Sequence, residues 1–141
     1  MARFPYTNAV NTPDSLMPRL SLMLNLGDQS VAIVGLVDSG ASVNVLPYSV
    51  GLQLGAVWTE QRLTIPLVGS LGRFEARGLA LLASHPQLTP TNPVRLVFAW
   101  TRSDEAPLLL GQTNFFMEFD VFFYGSVNMF DVNLKQNRLN D

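Results

Sequence analysis

Cysteine is absent from the 141 residues, histidine occurs once, and charged side chains make up only 14%. Without cysteine there is no disulfide, no thiol nucleophile and no thiolate metal site. A single histidine, His85, cannot build a multi-histidine metal centre. Any Ser/His/Asp machinery would have to run through it alone. Basic charge is equally scarce: Lys+Arg is 9 against 11 Asp+Glu, for a net charge of −2. The basic residues stand apart or in isolated pairs, so no stripe exists that could displace counterions from phosphates. No nucleic-acid partner is expected. Long hydrophobic runs are also missing. The longest, Val31 to Val37, has seven residues, far short of a membrane span. MARFPYTNAV has no long apolar run behind Arg3, so no signal peptide is read there. The expectation from these absences is a cytoplasmic protein with no membrane partner.

Apolar residues, in contrast, make up 48% of the chain, and the mean hydropathy is +0.20. A chain of this length hides roughly two-thirds of its unfolded surface on folding, enough for a core without staples. Disorder is excluded by composition. So few charges over so much apolar material suggest that part of the surface is buried against another copy.

Residues 1–18 hold three prolines (Pro5, Pro13, Pro18) and read as an irregular N-terminal arm before a single domain over 19–141. Leu20, Leu22, Leu24 and Leu26 alternate with Ser21, Met23 and Asn25, a strand period. Gly27 to Ser30 reads as a hairpin turn. Val31 to Val37 is β-branched and apolar throughout, so it predicts a strand buried on both faces. A short strand at Val43 to Leu46 and a helical turn at Tyr48 to Leu54 follow. Gln61 to Leu67 and Arg73 to Ala83 read as two strands of a hairpin whose tip is Gly69 to Gly72. Val94 to Trp100 is a strand, and Leu108 to Gly111 a short buried one. Thr113 to Glu118 is the best helical candidate, with Thr113 as its cap. Phe119 to Tyr124 and Asn128 to Leu134 close the chain as strands. Many short strands with Gly/Pro turns indicate a mainly β closed barrel or sandwich.

The informative place is Val37-Asp38-Ser39-Gly40-Ala41. A carboxylate straight after an apolar run is expensive unless it is paired, bonded or neutralised. The plain reading is that Asp38 ends a strand and caps the turn with its own side chain. A turn cap needs no hydrophobic lead-in, however, and here the chain re-enters an apolar strand at once. The segment Leu36 to Leu46 resembles the active-site segment of retropepsin-like aspartic proteases: two apolar residues, Asp-Thr/Ser-Gly-Ala, then an apolar strand. Leu108-Leu109-Leu110-Gly111-Gln112-Thr113-Asn114-Phe115-Phe116 resembles the family's second landmark, an apolar triplet and glycine opening a short helix. Val68 to Gly72 lies where the family carries its flap. The whole chain is most similar to single-domain, bacterial-type members.

The resemblance implies a closed β-barrel with a flap hairpin and one short helix near the C-terminal third. It implies Asp38 as the catalytic acid/base, with Ser39, Gly40 and Ala41 as its scaffold. Gly40, Ser42, Gly69, Ser70 and Leu71 would touch a peptide substrate, and neither metal nor cofactor would take part. No second Asp-Thr/Ser-Gly occurs in the chain, so a pair of carboxylates requires a homodimer. Ser39 would then bond across the axis.

Retroviral members carry an acidic residue and an arginine where this chain has Ser42 and Gln112. Both partners of that ion pair are neutral here, so a neutral hydrogen bond is expected in its place. Other candidates weigh less. His85 reads as a loop surface residue. Phe115, Phe116, Phe119, Phe122 and Phe123 read as core. Trp58 and Trp100 read as packing rather than groove lining, and Asp104-Glu105 as a solvated loop. Asp120 and Asp131 fall on outward strand faces. The sequence thus points to a homodimeric aspartic endopeptidase. The alternatives are a catalytically inactive interaction module on the same fold and an unrelated β-barrel holding an apolar ligand.

Overall fold

The computed structural model describes residues 2–9 and 12–135. Six strands form the body: β4 (Arg19–Leu26), β5 (Gln29–Val37), β6 (Asn44–Leu46), β7 (Ala76–Ser84), β8 (Val94–Thr101) and β9 (Leu109–Leu110). They close into a barrel in the order β4-β5-β9-β6-β8-β7. The alternation in β4 does what its period implies. Leu20, Leu22 and Leu24 are buried while Ser21 and Met23 face out. β5 departs from the expectation of burial on both faces. It alternates, with Ile33, Gly35 and Val37 inside and Ala32 and Val34 outside; Val34 is 56% exposed. A strand in a barrel of this size has one interior face, and none of the described residues covers the other at Val34.

The helix α1 (Tyr48–Gln53) lies against β8 through Trp100. Tyr48 stacks on that indole at 5.6 Å, and Trp100 Nε1 donates to the Tyr48 carbonyl. A side chain at Gly51 would sit 2.2 Å from the indole, so only glycine permits this approach. Trp58 and Trp100 are both core residues. The second helix, α2 (Phe115–Glu118), is shorter than the six residues expected. Its cap position falls on Asn114 rather than Thr113, and no side chain caps it. Phe115 and Phe119 stack at 4.9 Å inside the core.

The first eighteen residues are not an irregular arm. They carry β1 (Ala2–Pro5), β2 (Thr7–Ala9) and β3 (Thr12–Met17); Met1, Val10 and Asn11 lie outside the described residues. β2 and β3 form a hairpin, and β1 joins β11 (Met129–Leu134) and β10 (Phe119–Tyr124) in a sheet ordered β1-β11-β10. Proline is tolerated here because β1 is an edge strand with Pro5 at its end. Register places Arg3 opposite Asp131. The guanidinium grips the carboxylate with Nε to Oδ1 at 2.7 Å and Nη2 to Oδ2 at 3.1 Å. Asp131 is therefore buried, at 3% exposure, and not on an outward face. Asp120 is exposed. Phe122 and Phe123 are not core: at 49% and 40% exposure they lie on the outer part of β10, past the segment that packs on the barrel.

The expected strand at Gln61 to Leu67 is absent. Its segment is tied to β7 at three points. The Gly78 N–H donates to the Leu63 carbonyl, the Ile65 N–H to the Ala76 carbonyl, and Thr64 makes a bridge with Arg77. Pro66 has no N–H to extend that ladder. The tip at Gly69–Leu71 is a single 3-10 turn.

Candidate active site

The site forms where β9 runs between two strands. It pairs parallel with β5 (Leu36 with Leu109, Val37 with Leu110) and antiparallel with β6 (Val45 with Leu109). The loop 38–43 joins β5 to β6 across the end of β9. Its backbone is pinned at each side. The Asp38 N–H donates to the Leu110 carbonyl at 3.0 Å, the Gln112 N–H to Ala41 at 2.8 Å, and the Thr113 N–H to Ser42 at 3.0 Å. Gly111 is required by this crossing. A Cβ there would meet the Val43 carbonyl at 2.4 Å and the Ala41 carbonyl at 2.7 Å. The two landmarks of the sequence are thus one packed unit.

Asp38 itself is half-buried. Its Oδ1 accepts the Gly40 N–H at 2.9 Å, and its carbonyl accepts the Ala41 N–H at 3.1 Å. The plain reading of a turn-capping aspartate is therefore realised, through Oδ1. Gln112 supplies a neutral bond near the position expected for one, but to a different acceptor. Its Nε2 donates to the Ser39 carbonyl at 2.8 Å, not to the Ser42 side chain. Of the five carbonyls from Asp38 to Ser42, only Gly40's receives no hydrogen bond from a described residue.

A cavity of about 470 Å³ opens above the loop. Asp38, Gly40, Ala41 and Ser42 line its floor, with Leu36, Val43, Val45 and Leu109. Val68, Gly69, Ser70 and Leu71 line the other side. The structure thus brings the expected site residues to one cavity, except Ser39, which is exposed with its hydroxyl unpartnered among the described residues. Asp38 is the one charged residue in the lining. A larger groove, about 600 Å³, runs past Met23, His85 and Pro86. It holds no carboxylate, and His85 is half-buried there with its ring edge-on to Phe4 at 5.3 Å. Burial holds the His85 imidazole below its ordinary value. Asp104 and Glu105 are exposed, as a solvated loop should be, although Asp104 accepts the Ser49 N–H.

No protein-family model and no curated protein matches the sequence. Comparison of structures does find a match. A retropepsin-like aspartic protease from Rickettsia conorii superposes with a TM-score of 0.62, over 94% of this chain and 91% of that one, at 16% identity. The chain has the retropepsin-like fold. Within that fold one residue that the sequence pattern does not single out as functional organises the site. Asn44 is fully buried. Its Oδ1 accepts the N–H groups of Gly111 (2.8 Å) and Phe115 (3.4 Å). Its Nδ2 donates to the Val97 carbonyl and to Asn114 Oδ1. Asn114 in turn accepts the Val97 N–H and donates to the Arg95 carbonyl. Two asparagines thus tie β6, β8 and the start of α2 beneath the Asp38 loop. The signal was available: an amide in the middle of Val43-Asn44-Val45-Leu46 is out of place in a strand unless it is bonded.

Proposed function

We propose that the chain is an aspartic endopeptidase acting as a two-fold homodimer, with Asp38 of each copy at the axis. One observation carries this reading: on a retropepsin-like fold, Asp38 is the sole charged group lining an apolar cavity that also holds an unclaimed carbonyl at Gly40. Two carboxylates a hydrogen bond apart cannot both ionise, so the pair shares one proton. The ionised member draws a proton from a water held between them. The protonated member polarises the scissile carbonyl and later helps protonate the departing amine. The peptide lies extended between floor and flap as an added strand, bonded through its backbone and read through alternating pockets. Gly40's carbonyl accepts one of its N–H groups. The lining of Leu36, Val43, Val45, Leu67, Val68 and Leu71 favours apolar residues on either side of the cut.

The test is cleavage of an unfolded protein such as casein at about pH 4 to 6, where a carboxylate pair holds one proton. Asp38→Asn keeps the shape and removes the acid. Its activity is expected to vanish while its circular dichroism stays native. Undiminished cleavage by that variant would overturn the proposal. A second reading, a non-catalytic peptide-binding module, draws on the flap, whose Leu67 and Leu71 already pack on the cluster around Val45 and Leu109. A wild-type chain that dimerises and binds peptides yet cuts none would favour it.

A further inference from the structure

The geometry points to Gln112 as a positioning residue that aims Asp38 through a bond carrying no charge; this rests on the aspartic-protease reading of the same site. The Asp38 loop is held by backbone bonds at Asp38, Ala41 and Ser42. Between them, the Ser39 carbonyl is held by a side chain, Gln112 Nε2 at 2.8 Å. That carbonyl shares a planar peptide unit with the Gly40 N–H, and the two point to opposite sides of it. The Gly40 N–H is the donor that holds Asp38 Oδ1, at 2.9 Å. Gripping one end of the plane therefore fixes the other. Gln112 reaches the reacting carboxylate through one rigid unit, without touching it.

The amide that does this cannot ionise in the acid range where a carboxylate pair works. The segment 108–114 carries no charged residue, and the cavity lining has none besides Asp38. The neighbouring β8 and α2 carry Arg95, whose carbonyl Asn114 binds, and Glu118 at the helix end. In the dimer the partner copy adds its own Asp38.

Replacing Gln112 tests this directly, and its exposure makes either variant compatible with folding. Gln112→Leu removes the donor at every pH. Gln112→Glu supplies a donor only while its carboxyl is protonated, below about pH 4.3. Relative to wild type at each pH, kcat of Gln112→Leu is expected to fall roughly three- to tenfold, the worth of one neutral hydrogen bond, with KM little changed. Gln112→Glu is expected to match wild type in acid and to sink to the leucine level as its carboxyl ionises. Amide exchange at Gly40 is expected to quicken in the same pattern. A glutamate variant that tracks wild type across the whole range, or a Gly40 amide indifferent to both changes, would overturn the inference. If wild-type protein cleaves nothing, the protease reading fails by itself, while the Gly40 exchange still decides whether Gln112 sets the loop.

Discussion

Asn44 shows how much can rest on one side chain. Its amide satisfies two backbone donors and two acceptors inside a core where water cannot replace them. Removing it takes away the partner of the Gly111 and Phe115 N–H groups and of the Val97 carbonyl, and each buried orphan costs about 1–3 kcal/mol. Asn44→Leu, close in volume, is expected to lower unfolding stability by about 3 kcal/mol in urea titration; a loss under about 0.5 kcal/mol would show that the network is dispensable. Asp131 presents the opposite case, a charge made tolerable by register. The Arg3 guanidinium, through its hydrogen bonds and its charge, holds the Asp131 carboxyl below its ordinary 3.8, with Tyr124 adding a further bond. A depressed carboxyl contributes stability that is complete above 3.8 and lost as pH falls through its folded value. The stability difference between wild type and Asp131→Asn should therefore be constant at neutral pH and shrink only well into acid. A difference that disappears between pH 7 and 5 would contradict this assignment. Alternation along β11 assigns Asp131 an outward face. It cannot see that a cross-strand arginine covers that face.

Among the elements, the strands with clean alternation or dense apolar runs were legible from the sequence, and so were both landmarks around Asp38 and Gly111. What stayed hidden was pairing that depends on partners far along the chain. The N-terminal segment reads as loose when its three prolines are weighed without β11, the partner of β1 about 125 residues away. The segment 61–74 departs in the other sense. Its first limb carries strand-like residues, but Pro66 and the turn at Gly69–Leu71 leave it tied at a few points. Two forces seat it. Arg73 pairs with Glu105 at 3.2 Å, but the side chains are 66% and 72% exposed, so the pair is worth under about 1 kcal/mol. Leu67, Leu71 and Phe74 pack on the buried cluster of Val45, Ala106 and Leu109, and apolar burial outweighs an exposed pair. Leu71→Ser is expected to expose residues 67–74 to limited proteolysis, while Arg73→Ala leaves the cutting rate within about twofold. The reverse order would mean that the salt bridge is the latch.

At the scale of the whole molecule, one chain is chemically unfinished under the proposed function. Each copy brings a single Asp-Ser-Gly, and the cavity offers Asp38 no second acid. The surface is consistent with association. Phe122, Phe123, Tyr124 and Val127 are exposed together on β10 and the turn after it, and the chain has few charges to keep copies apart. If two copies share one site, an inactive copy must poison an active one. When wild-type chain is mixed and re-equilibrated with about a threefold excess of Asp38→Asn chain, about three quarters of the wild-type chains end in mixed pairs. A mixed pair has one carboxylate and cannot share a proton across the axis. Activity per wild-type chain should then fall to about one quarter, the share of wild-type chains that find a wild-type partner. A site complete within one chain predicts no fall at all, because the mutant would only dilute it. Measuring initial rates at fixed wild-type concentration while the inactive chain is titrated in separates the two. A flat line would show that catalysis, if present, belongs to the single chain, and Asp38 would need a different partner from its own symmetry mate.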